Sequence, residues 1–171
     1  MNSTLIKYGL LLFLLPVLQV SIFNNIDLLG YIDPYFYIIF IFLFPFDKNK
    51  ALFLISSFIL GIFIDLLTND GGIHAFSIVF IAYLRMPALR IISGKGTIEL
   101  DEINIKTISL SVLFFWIVIL TFLHHFLIFS LEQFSFNHFG KLISKTLITS
   151  TFSIILILIS LQLFSGKKTN A

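Results

Sequence analysis

Few side chains in this sequence are equipped for chemistry, and those few stand near the ends of long apolar runs. Asp65 ends the apolar stretch Gly61-Ile-Phe-Ile-Asp65, and His74 follows beyond the turn Asn69-Asp70-Gly71-Gly72. An ionisable group within a membrane span costs about 2.5–3.5 kcal/mol on insertion scales, so it marks a site by default. In an antiparallel helical hairpin Asp65 and His74 would face each other at similar depth. Two readings follow. One is a structural clasp that fixes the tight turn, with Asp65 also near the backbone N–H groups that open the next helix. The other is a proton-relay or ligand pair. One Asp and one His make a poor relay, so the clasp is the expectation.

Three further histidines, His124, His125 and His138, fall towards the same side. Zinc is a weak proposal for them. Neighbouring residues on a helix point about 100° apart, and no Cys or carboxylate pattern completes a tetrahedral site. They are expected to be interfacial. Arg85 and Arg90 straddle Pro87 near a span end, where snorkelling anchors that touch lipid headgroups are the natural reading. Gln19 is polar within the first apolar run and is expected to hydrogen-bond a neighbouring helix. Gly61, with Ser56 and Ser57 upstream, forms a small-residue stripe suited to close helix contact. With no cysteine, disulfides, thiolate nucleophiles and iron–sulfur clusters drop out. No nucleophile–base pair, paired-carboxylate site or phosphate-cradling loop is legible, so the chain reads as a non-enzyme without cofactor or metal.

The elements that must position these residues are set by hydropathy. Hydrophobic residues are 58% of 171, charged residues 12%, and the mean hydropathy is +1.04. The solvent for such a chain is lipid, and its apolar runs must satisfy their own backbone, as helices do. Runs such as Tyr35–Phe44 do not alternate, which argues against a transmembrane β-barrel. The reading is one all-α domain over 1–171, a polytopic membrane bundle of about six helices. Its spans are approximately 5–23, 34–46, 51–67, 73–92, 107–131 and 142–164. The second is short for a 30 Å core; Asp33 as N-cap and Pro34 at the first helical position would start it. No small-x-small cleavage site follows the first run, so it is read as an uncleaved span rather than a signal peptide. The polar stretch Ser93–Lys106 reads as a cytoplasmic loop.

Charge supplies orientation. If the spans alternate from an inner N-terminus, Lys7, Lys48, Lys50, Arg85, Arg90, Lys95, Lys106, Lys167 and Lys168 are inside, and Lys141 and Lys145 outside. That asymmetry predicts both termini in the cytoplasm. The net charge of +2 and the lack of a basic stripe give no case for nucleic acid.

The segment GIFIDLLTNDGGIHAFSIVFIAYL at 61–84 resembles the MreD family of bacterial rod-shape-determining membrane proteins. Gly61, Asp65, Leu66, Gly72, Ala75, Ala82, Tyr83 and Leu84 carry the resemblance, with His74 inside the same hairpin. Gln19 late in the first span, Pro34 opening the second and Pro45 closing it before a basic turn agree with it. The fifth and sixth spans match only in hydropathy. The resemblance implies a scaffold subunit of the cell-elongation machinery in the bacterial inner membrane. Its partners would be MreC and, through it, MreB, the RodA glycosyltransferase and a penicillin-binding transpeptidase. It also implies an architecture similar to the substrate-binding subunits of energy-coupling-factor vitamin transporters. The rival reading is therefore a vitamin-binding transport subunit, for which Asp65, His74, Asn69 and Tyr83 are the available polar groups.

Overall fold

The computed structural model describes residues 3–25, 33–46, 49–94, 108–133 and 139–164. The regular elements among them are all helical: α1 (Ser3–Ser21), α2 (Ile39–Leu43), α3 (Lys50–Thr68), α4 (Ile73–Ser93), α5 (Leu110–Gln133) and α6 (Phe139–Phe164). Five of the helices are long and apolar enough to cross a membrane. Lys48, Lys95, Lys106, Lys167, Lys168, His138 and most of Ser93–Lys106 lie outside the described residues. The long helices pack in series, α1 on α3, α3 on α4, α4 on α5 and α5 on α6. Their outward faces carry exposed Phe, Leu and Ile, among them Phe13, Phe58, Phe115 and Ile155. Lipid tolerates such faces and water does not.

The expected second span, 34–46, takes a different form. Residues 33–35 are not helical, Phe36–Ile38 form a 3₁₀ turn, and α2 has only five residues. Asp33 therefore does not cap a helix starting at Pro34; it pairs with Lys145 at 3.7 Å. The reason lies on α1. The side-chain oxygen of Gln19 accepts from Phe36 N–H at 2.8 Å and from Tyr37 N–H at 3.4 Å, and its amide donates to Pro34 O at 3.1 Å. An amide from another helix thus does the work of a cap. At the far end Phe44 is extended (φ −67°, ψ 134°), as the residue before a proline must be. The carbonyls this frees are taken by Tyr8, whose hydroxyl donates to Leu43 O at 3.1 Å, and by Arg85, whose guanidinium donates to Phe44 O.

Residues 33–46 are thus an interior leg. It runs antiparallel to α1 from the level of Gln19 to that of Tyr8, roughly 16 Å at 1.5 Å per residue. Tyr37, Ile38, Ile39, Phe40, Ile41 and Phe42 are at most 1% exposed. Irregular backbone at membrane depth is admissible only when protein surrounds it and satisfies its polar groups. Protein surrounds the leg, and Gln19, Tyr8 and Arg85 take backbone groups at its two ends.

The α3–α4 hairpin is closed by glycine and a left-handed cap. Asn69 (φ 63°) ends α3, returning its N–H to Asp65 O at 2.8 Å, and Gly71 and Gly72 also have positive φ. Gly61 lies against α4 so tightly that a Cβ there would sit 2.7 Å from Ala75 N and 2.9 Å from Ile78 Cγ2. Of the small-residue stripe, Gly61 is the member at which the α3 backbone meets the α4 backbone.

Candidate functional site

Polar side chains collect inside the bundle at two levels, one at each end of the interior leg. At the hairpin end, Asp65 does not pair with the imidazole of His74. Its two carboxylate oxygens accept backbone N–H groups instead, from His74 at 3.0 Å and from Ala75 at 2.9 Å. These are donors that the first turn of α4 leaves unpaired, and the negative charge faces the positive end of the helix dipole. In place of the expected side-chain pair, the contact joins a side chain to backbone.

The His74 imidazole is thereby left for other partners. Nε2 lies 3.1 Å from Asp70 Oδ2, and Nδ1 lies 2.8 Å from the Tyr37 hydroxyl. The same hydroxyl is 2.9 Å from His124 Nε2. A four-membered chain results: Asp70, His74, Tyr37, His124. Asp70 stands in the turn outside the spanning helices, and its hydrogen bond from His74 holds its carboxyl below the ordinary carboxylate range. Tyr35 packs against the rings of His74, His124 and His125 and sends its hydroxyl to Glu132 Oε1 at 3.3 Å. His125 donates from Nδ1 to Thr121 O at 2.8 Å, leaving Nε2 to accept from Ser153 Oγ at 3.0 Å.

The expectation of interfacial histidines is corrected by this arrangement. His124 and His125 are fully buried, and the interior leg is what they face. Burial is tolerated because each imidazole meets a hydroxyl or carbonyl. Among the described residues no group of three His, Cys, Asp or Glu side chains could hold a metal ion.

At the opposite end Arg85 overturns a second expectation. It is 2% exposed, so it anchors to no headgroup. Its guanidinium lies over Phe46 at 3.8 Å and Phe53 at 4.7 Å, with Trp116 at 5.9 Å. Among the described residues no carboxylate pairs with it. An isolated buried charge is expensive; aromatic faces contribute about 2 kcal/mol or more for a desolvated cation, and the Phe44 carbonyl adds a charge-assisted bond. Trp116 closes the box by donating Nε1–H to Arg85 O at 3.0 Å. Arg90 lies exposed near the end of α4.

No family model, no curated protein and no solved structure matches the chain. The residues of the 61–84 segment must therefore be understood from geometry. Gly61, Asp65, Gly72 and Ala75 build the hairpin, and His74 points inward. Leu66 (77% exposed) and Tyr83 (55% exposed) point outward, with the Lys50 ammonium 4.6 Å from the Tyr83 ring centre. Between the outer faces of α3 and α4 runs an apolar groove of about 500 Å³, lined by Leu54, Phe58, Ile62, Phe76, Phe80 and Tyr83 among others. Sequence reasoning missed Tyr35, Tyr37, Asp70, Glu132 and Ser153. The only signal was a pair of tyrosines spaced by one residue after Pro34, at the mouth of an unusually short apolar run.

Proposed function

We propose that this chain is a non-enzymatic scaffold subunit of the rod-shape and cell-elongation machinery, of the kind the MreD resemblance implies. In this reading it binds MreC in the bacterial inner membrane. Through MreC it helps position peptidoglycan synthesis by RodA and a penicillin-binding transpeptidase, alongside MreB. The observation that carries the reading is the α3–α4 hairpin. The segment bearing the resemblance is stiffened by the Gly61–Ala75 contact and the Asp65 cap, and its outer face presents a groove with an apolar wall. A partner's membrane helix needs shape, small residues and aromatic edges rather than reactive groups. The interior leg counts, in this reading, as a sixth crossing, in keeping with the six-helix architecture of energy-coupling-factor substrate-binding subunits. With the bias of Lys and Arg it returns both termini to the cytoplasm.

Depletion in a rod-shaped host tests it. Loss of the chain should round or widen the cells, and MreC should co-purify with it in detergent. Replacing Phe76 and Phe80 together by Ser should release MreC from protein that still folds. Retention of MreC by that variant would remove the groove from the account. The rival, a vitamin-binding transport subunit, rests on the buried tyrosines and histidines between α4, α5 and the interior leg. Their polar atoms are largely spent on one another. Normal cell shape with a collapse of uptake of one vitamin would establish it instead.

A further inference from the structure

Outside the two interior polar levels, the bundle leaves open the groove between the outer faces of α3 and α4. One wall is the row Leu54, Phe58 and Ile62, spaced by four on α3; the other is Phe76, Phe80 and Tyr83 on α4. Residues so spaced share one helix face. From Gly72 to Tyr83 the groove runs roughly 16 Å at 1.5 Å per residue. That is about half of a 30 Å hydrocarbon core, so the groove is one leaflet deep. A volume of about 500 Å³ over this length gives a cross-section of about 30 Å², against roughly 80–110 Å² for a helix with its side chains. There is room for one hydrocarbon chain, or for the row of side chains along one edge of a helix.

Charge distinguishes the two occupants. The lining carries none, and at the hairpin end it closes on Ile62, Gly72 and Ala75. At the other end Lys50 stands one turn before Leu54 in the same row, exposed in the first turn of α3. Its ammonium lies 4.6 Å from the centre of the Tyr83 ring. Arg90, also exposed, follows Tyr83 by two turns on the same face of α4. Among the described residues no carboxylate pairs with either cation. The start of α3 adds the positive end of its dipole on this side. Positive charge therefore gathers where a channel of leaflet depth meets the headgroup level.

We propose that this face holds one anionic phospholipid, its tail in the groove and its phosphate between Lys50 and Arg90. Tyr83 keeps the ammonium at the mouth of the groove, so less side-chain freedom is lost when the headgroup arrives. A zwitterionic lipid offers the same tail but sets its own cation beside the two on the protein. A helix edge would fill the same walls without calling for cations at one end. The seat belongs to the chain alone and goes beyond the scaffold reading; a partner helix docking in this groove would displace the tail.

Native mass spectrometry of the full-length chain, free of any partner and released from nanodiscs of mixed phosphatidylglycerol and phosphatidylcholine, tests this. One phosphatidylglycerol should stay on each monomer, favoured over phosphatidylcholine by about tenfold, as two cations near the headgroup allow. Lys50→Gln combined with Arg90→Gln, both at exposed positions, should abolish that preference. Val79→Phe thickens a wall of the groove and leaves both cations in place; it should release lipid of either headgroup. Equal retention of the two lipids by the parent would overturn the proposal, as would a preference that survives in the double charge variant. A lipid-free dimer, its groove filled by a second copy, would do the same. So would full retention of phosphatidylglycerol by Val79→Phe, and the charge variant decides the matter where Val79→Phe fails to fold.

Discussion

Replacing Asp65 by Ala removes the acceptor of two backbone N–H groups at once, those of His74 and Ala75. Both lie where Asp65 is 6% exposed, so water does not reach them to compensate. A buried donor left unpaired costs about 1–3 kcal/mol, and loss of an N-cap acceptor about 0.5–2 kcal/mol. Because the two descriptions overlap, Asp65→Ala should destabilise by about 2–4 kcal/mol in total. Asp65→Asn keeps one acceptor oxygen and should lose about half of that. The readout is unfolding by dodecyl sulfate in mixed micelles. Trp116, the single tryptophan of the chain, is fully buried and reports it by fluorescence. Folded, membrane-inserted Asp65→Ala protein should fall in yield, while the fraction that folds should retain the MreC association proposed above. An unfolding midpoint equal to that of the parent would refute the capping argument. Normal yield with lost MreC would mean that Asp65 faces a partner.

Gln19→Leu removes the acceptor of Tyr37 N–H and one of two partners of Phe36 N–H and of Pro34 O, which keep each other at 3.2 Å; with one buried group left unpaired it should cost about 1–3 kcal/mol, and an unfolding midpoint near the parent's would mean that water enters there. Gly61→Ala forces α3 and α4 apart, because the nearest atoms met are the Ala75 backbone; the expected cost is about 1–3 kcal/mol, read in the same micelle assay, and a neutral result would contradict the close approach. Stability should also depend on pH through Asp70. Its carboxyl sits below its ordinary range in the fold because of His74, so the native state binds that proton less readily than the unfolded chain. The stabilisation is present above about pH 4, the unfolded value, and is lost as pH falls through the lower native value. The gap between parent and Asp70→Asn should therefore be widest near neutrality and close in acid. Finally, the chain contains no cysteine, so single cysteines at Asn49 and Asn69 can be labelled without background, and they should react from opposite faces of the membrane, Asn49 from the cytoplasm.

Hydropathy alone was enough to read the long helices, because a run of apolar residues at bilayer length admits little else. α3 and α4 begin and end within a residue of where composition placed them, helped by the Asn-Asp-Gly-Gly turn. The leg at 33–46 was harder. Its burial comes from neighbours on α1, α4 and α5, and apolar residues facing protein look the same as apolar residues facing lipid. For the same reason Arg85 and the two adjacent histidines were assigned to the membrane surface. A charge near a span end ordinarily reaches for headgroups, and only the aromatic box of Phe46, Phe53 and Trp116, drawn from three segments, makes the inward rotamer tenable. The clasp of Asp65 was visible because it is local, nine residues from donor to acceptor. The Tyr37 bridge joins positions 37 and 87 residues apart, beyond what spacing can show.

Two helices flanking the interior leg, α1 and α3, point the same way, and that has a consequence for biogenesis. A stretch with one and a half turns of helix is too short to partition from a translocation channel on its own merit. It can be drawn into the bilayer only once walls exist to receive its bare carbonyls and amides. The placing of the middle of this chain thus depends less on its own hydropathy than on one glutamine before it, on α1, and one arginine after it, on α4.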